Sequence, residues 1–205
     1  GKLEGRVALI TGASAGIGRA VAIALAAEGA RIIATGRREA ELQSLAAHCA
    51  DRGGSAVYLA GDITDAAFVA RLADRAFDAD VLVNNAGILT YAPLFELTAS
   101  QCESMFRVNV LAAIEVSQRI GELMARRRRG HIVMVTSASA RTVRRLRSVY
   151  AASKHALAGF TNGLRMELKG YGIKVTEIAP GMVETDLRNS STHAEVVAEF
   201  KNLSY

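Results

Sequence analysis

A short apolar run, Val7-Ala8-Leu9-Ile10, stops at Thr11-Gly12-Ala13-Ser14-Ala15-Gly16-Ile17-Gly18, and a stretch of helix formers, Ala20 to Ala27, follows at once. Strand, glycine turn, helix is the opening unit of a dinucleotide-binding fold. Gly12 permits a tight turn with positive φ. Gly16 and Gly18 lack a Cβ, so a pyrophosphate can approach the backbone and the helix can pack close to the strand. The helix N-terminus offers unpaired N–H groups and partial positive charge to that pyrophosphate. The bland alternative is an αβ turn whose glycines serve packing alone.

The rest of the chain repeats the strand–helix alternation. Strands are expected at Arg31 to Thr35, Ala56 to Ala60, Val81 to Val83, His131 to Thr136 and Ile173 to Ile178. Helices are expected at Glu39 to Ala50, Asp65 to Phe77, from the capping box Thr98-x-x-Gln101 to Arg126, and from Tyr150 to about Gly170. This pattern predicts a doubly wound, Rossmann-type parallel sheet between two helical layers, with residues 1–205 as a single dinucleotide-binding and catalytic domain. Gly12, Asp62, Asn85, Ser137 and Pro180 each directly follow an expected strand. Ligands of open parallel sheets bind outside the carboxyl ends of the strands, so five motifs converge on one edge.

The second strand ends at Gly36-Arg37-Arg38. NAD sites place an acidic residue there for the ribose hydroxyls, whereas arginine forks match the 2′-phosphate of NADP. Solvated loop arginines are the alternative. Asp62 stands near an expected helix start and reads as part of a local cap with Thr64. Arg126 to Arg129 closes a helix, where cations complement the dipole. Tyr150 and Lys154 stand at i and i+4, on one helix face. A neighbouring ammonium favours phenolate, which predicts a Tyr150 pKa below its usual 10 and proton exchange near neutral pH. Ser137 stands thirteen residues earlier, at a strand end, and could hold the same substrate oxygen. Asn109 sits on an otherwise apolar helical turn, where a buried amide must find partners.

Thr-Gly-x-x-x-Gly-x-Gly, Asn84-Asn85-Ala86-Gly87, Ser137, Tyr150-x-x-x-Lys154 and Pro180-Gly181 together resemble the motifs of the short-chain dehydrogenase/reductase family. The resemblance covers nearly the whole chain. It implies an oxidoreductase passing a hydride between NADP(H) and an alcohol or carbonyl compound. Tyr150 would be the acid/base, Lys154 its pKa modifier and a ribose ligand, Ser137 the oxygen anchor and Asn109 a relay through a held water. The implied cofactor contacts are Gly12, Ser14, Gly16, Ile17, Gly18, Arg37, Arg38, Asp62, Ile63, Asn85, Ala86, Gly87, Tyr150, Lys154, Pro180, Gly181, Val183 and Thr185. Two departures stand out. Ala15 supplies no basic residue inside the glycine turn, and after Thr185 the pattern gives no seventh strand. The sixth would then be an edge, unless more chain or a partner covers it. A homo-oligomer, dimer or tetramer, is also implied. The alternatives are a catalytically silent NADP-binding regulatory or interaction protein, or an epimerase or dehydratase using the same Tyr and Lys.

Composition narrows the setting. Half of the 205 residues are hydrophobic, enough for a sizeable core, and the net charge of +5 does not by itself suggest nucleic acid. No apolar run reaches membrane-span length, and Glu4 and Arg6 interrupt any leader-like start. Cys49 and Cys102 form no framework, and His48, His131, His155 and His193 lack metal-ligand spacing, so no metal site is expected. These features are those of a cytoplasmic protein. Arg141, Arg144, Arg145 and Arg147 lie between Ser137 and Tyr150. They are either a solvated or intersubunit surface, or, with Arg144 or Arg145 foremost, an attractor for a carboxylate- or phosphate-bearing substrate.

Overall fold

Six β-strands alternate with helices in a computed structural model that describes residues 1–183, 193 and 196. The strands are β1 (Val7–Thr11), β2 (Arg31–Gly36), β3 (Ser55–Ala60), β4 (Val81–Asn84), β5 (Gly130–Val135) and β6 (Ile173–Ile178). The helices are α1 (Gly16–Ala27), α2 (Glu39–Asp51), α3 (Ala66–Arg75), α4 (Ala99–Phe106), α5 (Ala112–Arg126) and α6 (Ser148–Leu168). All pairings are parallel, in the order β3-β2-β1-β4-β5-β6. The order reverses between β1 and β4, which is the switch point where such sheets open a crevice. This is the Rossmann-type fold expected from the alternation.

Successive strand residues face opposite sides, and both sides are apolar. Ala8, Ile10, Ile32, Ala34 and Val83 pack with Ala22, Ala26, Leu42, Leu45 and Cys49 of α1 and α2. Leu9, Ile33, Leu82, Ile132 and Met134 pack with Phe68, Leu72, Val116, Ile120, Met124, Leu157 and Leu164 of α3, α5 and α6. Burial of this kind contributes about 25 cal/mol per Å2 of apolar surface. Cys49 is buried among these residues and Cys102 is half-buried.

Element ends differ from expectation in informative ways. The first helix starts at Gly16, four residues early, because the glycine turn itself enters the helix with Ala15 as its N-cap residue. The capping box at Thr98 and Gln101 is complete in both directions. The single long helix expected after it is interrupted by a π-helical turn, Arg107–Leu111, which joins α4 to α5. The basic run after α5 is structural. Arg126 pairs with Glu122, Arg127 caps the Phe77 and Ala79 carbonyls, Arg128 reaches the Gly170 carbonyl and Arg129 pairs with buried Asp80. Among the described residues β6 has no strand on its outer side. No helix among them is long and apolar enough to cross a membrane.

Candidate active site

The turn after β1 is fixed from both sides. Gly12 takes φ +65°, and a Cβ there would stand 2.8 Å from Ala86 Cα. The Thr11 hydroxyl accepts from the Asn85 and Ala86 N–H groups, both at 3.0 Å. Asn85 Nδ2 donates back to the Thr11 and Gly12 carbonyls. The exits of β1 and β4 are thereby locked across the switch point. The cleft they frame, about 400 Å3, is lined by Gly12, Ser14, Gly16 and Ile17, by Gly36, Arg37 and Arg38, and by Asp62, Ile63 and Asn85–Ile88. That volume falls in the usual range for small-ligand sites.

The residues of this cleft fit a nicotinamide dinucleotide. The N-cap of α1 makes no side-chain capping bond and its first turn carries no acid, so the helix end presents backbone N–H groups and positive charge. At Gly36 a Cβ would come within 3.2 Å of Ser14 Oγ, so a glycine there keeps the passage open. Arg37 and Arg38 are exposed at its rim, and Arg38 reaches Ser14 Oγ at 3.5 Å. Asp62 is held below the usual carboxylate range, chiefly by the Thr64 N–H, with help from the Thr64 hydroxyl and from Arg37.

A second cavity, about 370 Å3, adjoins the first and shares Ile17, Asn85, Gly87 and Ile88 with it. Ser137, Tyr150 and Lys154 all line it, with Tyr91, Arg144, Arg147 and Pro180–Val183. Lys154 Nζ lies 5.8 Å from the centre of the Tyr150 ring and donates to the Val135 carbonyl. Burial pushes the Lys154 pKa down to about 8. Ser137 Oγ accepts from the Ser139 N–H and bonds to Tyr150. Asn109, fully buried on the π-helical turn, holds the Ile88 backbone from both sides: Oδ1 accepts from its N–H at 2.8 Å and Nδ2 donates to its carbonyl at 2.9 Å. Its second Nδ2 donor goes to Ser153 Oγ, which itself donates to the Tyr150 carbonyl.

The family model for short chain dehydrogenases matches residues 6–196. The chain is a member of the short-chain dehydrogenase family. It is 38% identical over 191 residues to an uncharacterised short-chain type dehydrogenase/reductase of Sinorhizobium fredii, covering 92% of this chain and 74% of that one. It is 37% identical to a sorbitol dehydrogenase of Cereibacter sphaeroides, covering 89% and 72%. Among solved structures it superposes with a TM-score of 0.87 on a Beutenbergia cavernae protein assigned as an NAD(P)-dependent gluconate 5-dehydrogenase, with NADP bound at low occupancy. The two are 38% identical over 97% of this chain and 81% of that one. A Sphingobium yanoikuyae short-chain dehydrogenase in complex with NADPH gives 0.85 at 28% identity, covering 90% and 74%.

Against this short-chain dehydrogenase site, the expectations divide. Gly12, Ser14, Gly16, Ile17, Arg37, Arg38, Asp62, Ile63, Asn85, Ala86 and Gly87 all line the first cleft. Gly18 does not. Its missing Cβ makes room for Asn85 Nδ2 and the Gly12 carbonyl. The cap of α3 is Asp65, not Thr64, since Asp65 accepts from the Ala67 N–H. Thr185 lies outside the described residues. The expected drop in the Tyr150 pKa is reversed: burial raises it, while the Ser137 bond and the Arg147 charge pull it down. Burial weighs on Lys154 as well, so the ammonium is itself disfavoured. Both Nδ2 donors of Asn109 are engaged by protein groups, so the side chain acts first as a brace. Of the four loop arginines, Arg141 pairs with Glu177 and Arg145 is exposed outside the cavity lining. Tyr91 carried no sequence signal, for its position obeys no periodicity. Thr11 was legible only as part of the glycine motif.

Proposed function

We propose that this short-chain dehydrogenase interconverts an alcohol and a carbonyl compound with NADP(H). The observation that carries the reading is a single cavity holding Ser137, Tyr150 and Lys154, open to a cleft rimmed by Arg37 and Arg38. NADP-bound and NADPH-bound structural neighbours support the choice of cofactor.

The glycine turn with Ser14 and Ile17 would hold the diphosphate. Arg37 and Arg38 would take the 2′-phosphate, and Asp62 and Ile63 would border the adenine. Asn85–Gly87, Tyr150 and Lys154 would flank the second ribose. Pro180, Gly181 and Val183, with Thr185 from the sequence motif, would border the nicotinamide. When bound, the cofactor supplies or accepts the hydride. Tyr150 Oη gives its proton to the nascent alcohol oxygen in reduction and takes it back in oxidation. A pKa raised by burial keeps the phenol protonated, which suits the reductive direction. The Ser137 hydroxyl holds the same oxygen. Lys154, fixed to the Val135 carbonyl, places positive charge beside the phenol as it ionises. Asn109 braces Ile88 and, through Ser153, the backbone of Tyr150. Asn109 would also hold a water that links Lys154 to solvent.

Tyr150→Phe keeps the ring and removes the transferable proton. NADPH oxidation with a panel of ketones and aldehydes should fall by roughly 10²–10⁴-fold. NADPH binding, followed by fluorescence, should persist. Turnover close to that of the parent overturns the assignment.

A further inference from the structure

Glu177 lies near the end of β6 with its side chain only 11% exposed, and it lines neither of the two cavities. Both of its carboxylate oxygens are engaged. Oε1 accepts from the Thr136 hydroxyl at 2.7 Å, and Oε2 accepts from an Arg141 N–H at 2.9 Å. These two partners bracket Ser137. Thr136 is the residue before it. Arg141 follows the 3₁₀ turn Ala138–Ala140, for which Ser137 is the N-cap residue, its Oγ accepting from the Ser139 N–H at 3.1 Å. One carboxylate therefore holds both ends of the segment that carries the proposed oxygen anchor.

Joining β5 to β6 does not require this clamp. The ladder already pairs the two strands from Gly130 with Ile173 to Val135 with Ile178. Past the ladder, the Thr136 N–H donates to the Ile178 carbonyl and the Ala138 N–H to the Pro180 carbonyl, both at 2.8 Å. These bonds fix where the segment leaves the sheet. The turn beyond closes on itself, with the Ala140 and Arg141 N–H groups returning to the Ser137 and Ala138 carbonyls. The Arg141 side chain ties the far end of that turn back to β6. A carboxylate this buried loses hydration, and two donors, one of them charged, offset the loss. From this bracketing we propose that Glu177 is a positioning residue for the reaction: by gripping Thr136 and Arg141 it holds the Ser137 hydroxyl against the substrate oxygen and Tyr150. The inference rests on the oxidoreductase reading above.

The readouts are the single-turnover rate of NADPH oxidation with a panel of ketones and aldehydes, and the NADPH Kd by fluorescence. A reacting group displaced by about 1 Å can cost roughly a hundredfold in rate, so Glu177→Leu should slow the turnover by roughly ten- to a hundredfold. The Kd should hold, because Thr136, Arg141 and Glu177 all lie outside the lining of the cofactor cleft. Ser137→Ala removes the anchor itself and should slow the turnover by roughly 10²–10³-fold. The decisive variant carries both changes. With no anchor left to position, Glu177→Leu should cost nothing further in the Ser137→Ala background, whereas a general loosening of the join between β5 and β6 would multiply with it. If Glu177→Leu fails to bind NADPH, Arg141→Met, at an exposed position, releases one end of the clamp in its place and meets the same test. Glu177 is not a positioning residue if its loss leaves the rate at the parent's, if that loss multiplies in the double variant, or if Ser137→Ala leaves the rate unchanged. In each of these cases turnover by the parent keeps the oxidoreductase reading. A parent that oxidises NADPH with no member of the panel overturns that reading, and this inference falls with it.

Discussion

Lys154 carries its cost in protons. Its pKa in the folded protein is about 8, against about 10.4 for a free lysine. Below pH 8 both folded and unfolded chains hold the proton, and the buried ammonium is a full penalty. Between pH 8 and about 10.4 the folded chain releases the proton while the unfolded chain keeps it, so this contribution to stability rises with pH. Lys154→Met fills the site without charge and has no such dependence. The variant's stability relative to the parent should therefore shrink by roughly 1–2 kcal/mol between pH 7.5 and 9.5. Urea unfolding of the cofactor-free proteins at both pH values reads it directly. A gap that stays constant would mean that Lys154 is not strained by burial. Tyr150 does not disturb the comparison, because its raised pKa lies above this window in both proteins.

At the scale of elements, α1 packs closely against the β1 turn at Gly18. A methyl at Gly18 would meet Asn85 Nδ2 and the Gly12 carbonyl, one of them backbone. Gly18→Ala should cost roughly 1–3 kcal/mol by overpacking, seen as a lower urea midpoint, and should weaken NADPH binding because the turn must move. A variant with parental midpoint and affinity would show that α1 can shift freely. Such joins were legible in the sequence, since a glycine between strand and helix has few other uses. So were the six strands, as apolar and β-branched runs cut off by Gly, Asn, Ser or Pro. The π-helical turn was not. Met105, Val108 and Ala112 keep a continuous apolar face, and one widened turn leaves that periodicity nearly unchanged. The burial of Arg147 was equally hidden, because Leu146 takes a left-handed backbone without the Gly or Asn that would announce it. The i, i+4 pairing of Tyr150 and Lys154 was readable. The sign of the tyrosine's shift was not, for it depends on burial that spacing does not encode.

At the scale of the molecule, the cofactor cleft is walled by the ends of four strands. Thr35 and Gly36 end β2, Gly61 follows β3, and Gly12 and Asn85 lock β1 to β4. A ligand there contacts groups far apart in sequence that only the folded sheet assembles, so it binds the native state alone. At a hundred times its Kd such a ligand stabilises by about 2.7 kcal/mol. For a chain of this size that raises Tm by roughly 5–10 °C. NADH lacks the 2′-phosphate proposed to meet Arg37 and Arg38. Its Kd should be roughly ten- to a hundredfold weaker, so its shift at the same concentration should be smaller by several degrees. Replacing both arginines, Arg37→Ala with Arg38→Ala, should bring the NADPH shift down to that of NADH and leave the ligand-free Tm close to the parent's, since both side chains are exposed. A thermal melt of parent and double variant with each cofactor decides the point. Equal shifts in the parent would mean that the two arginines do not discriminate between the cofactors and would overturn the NADP preference.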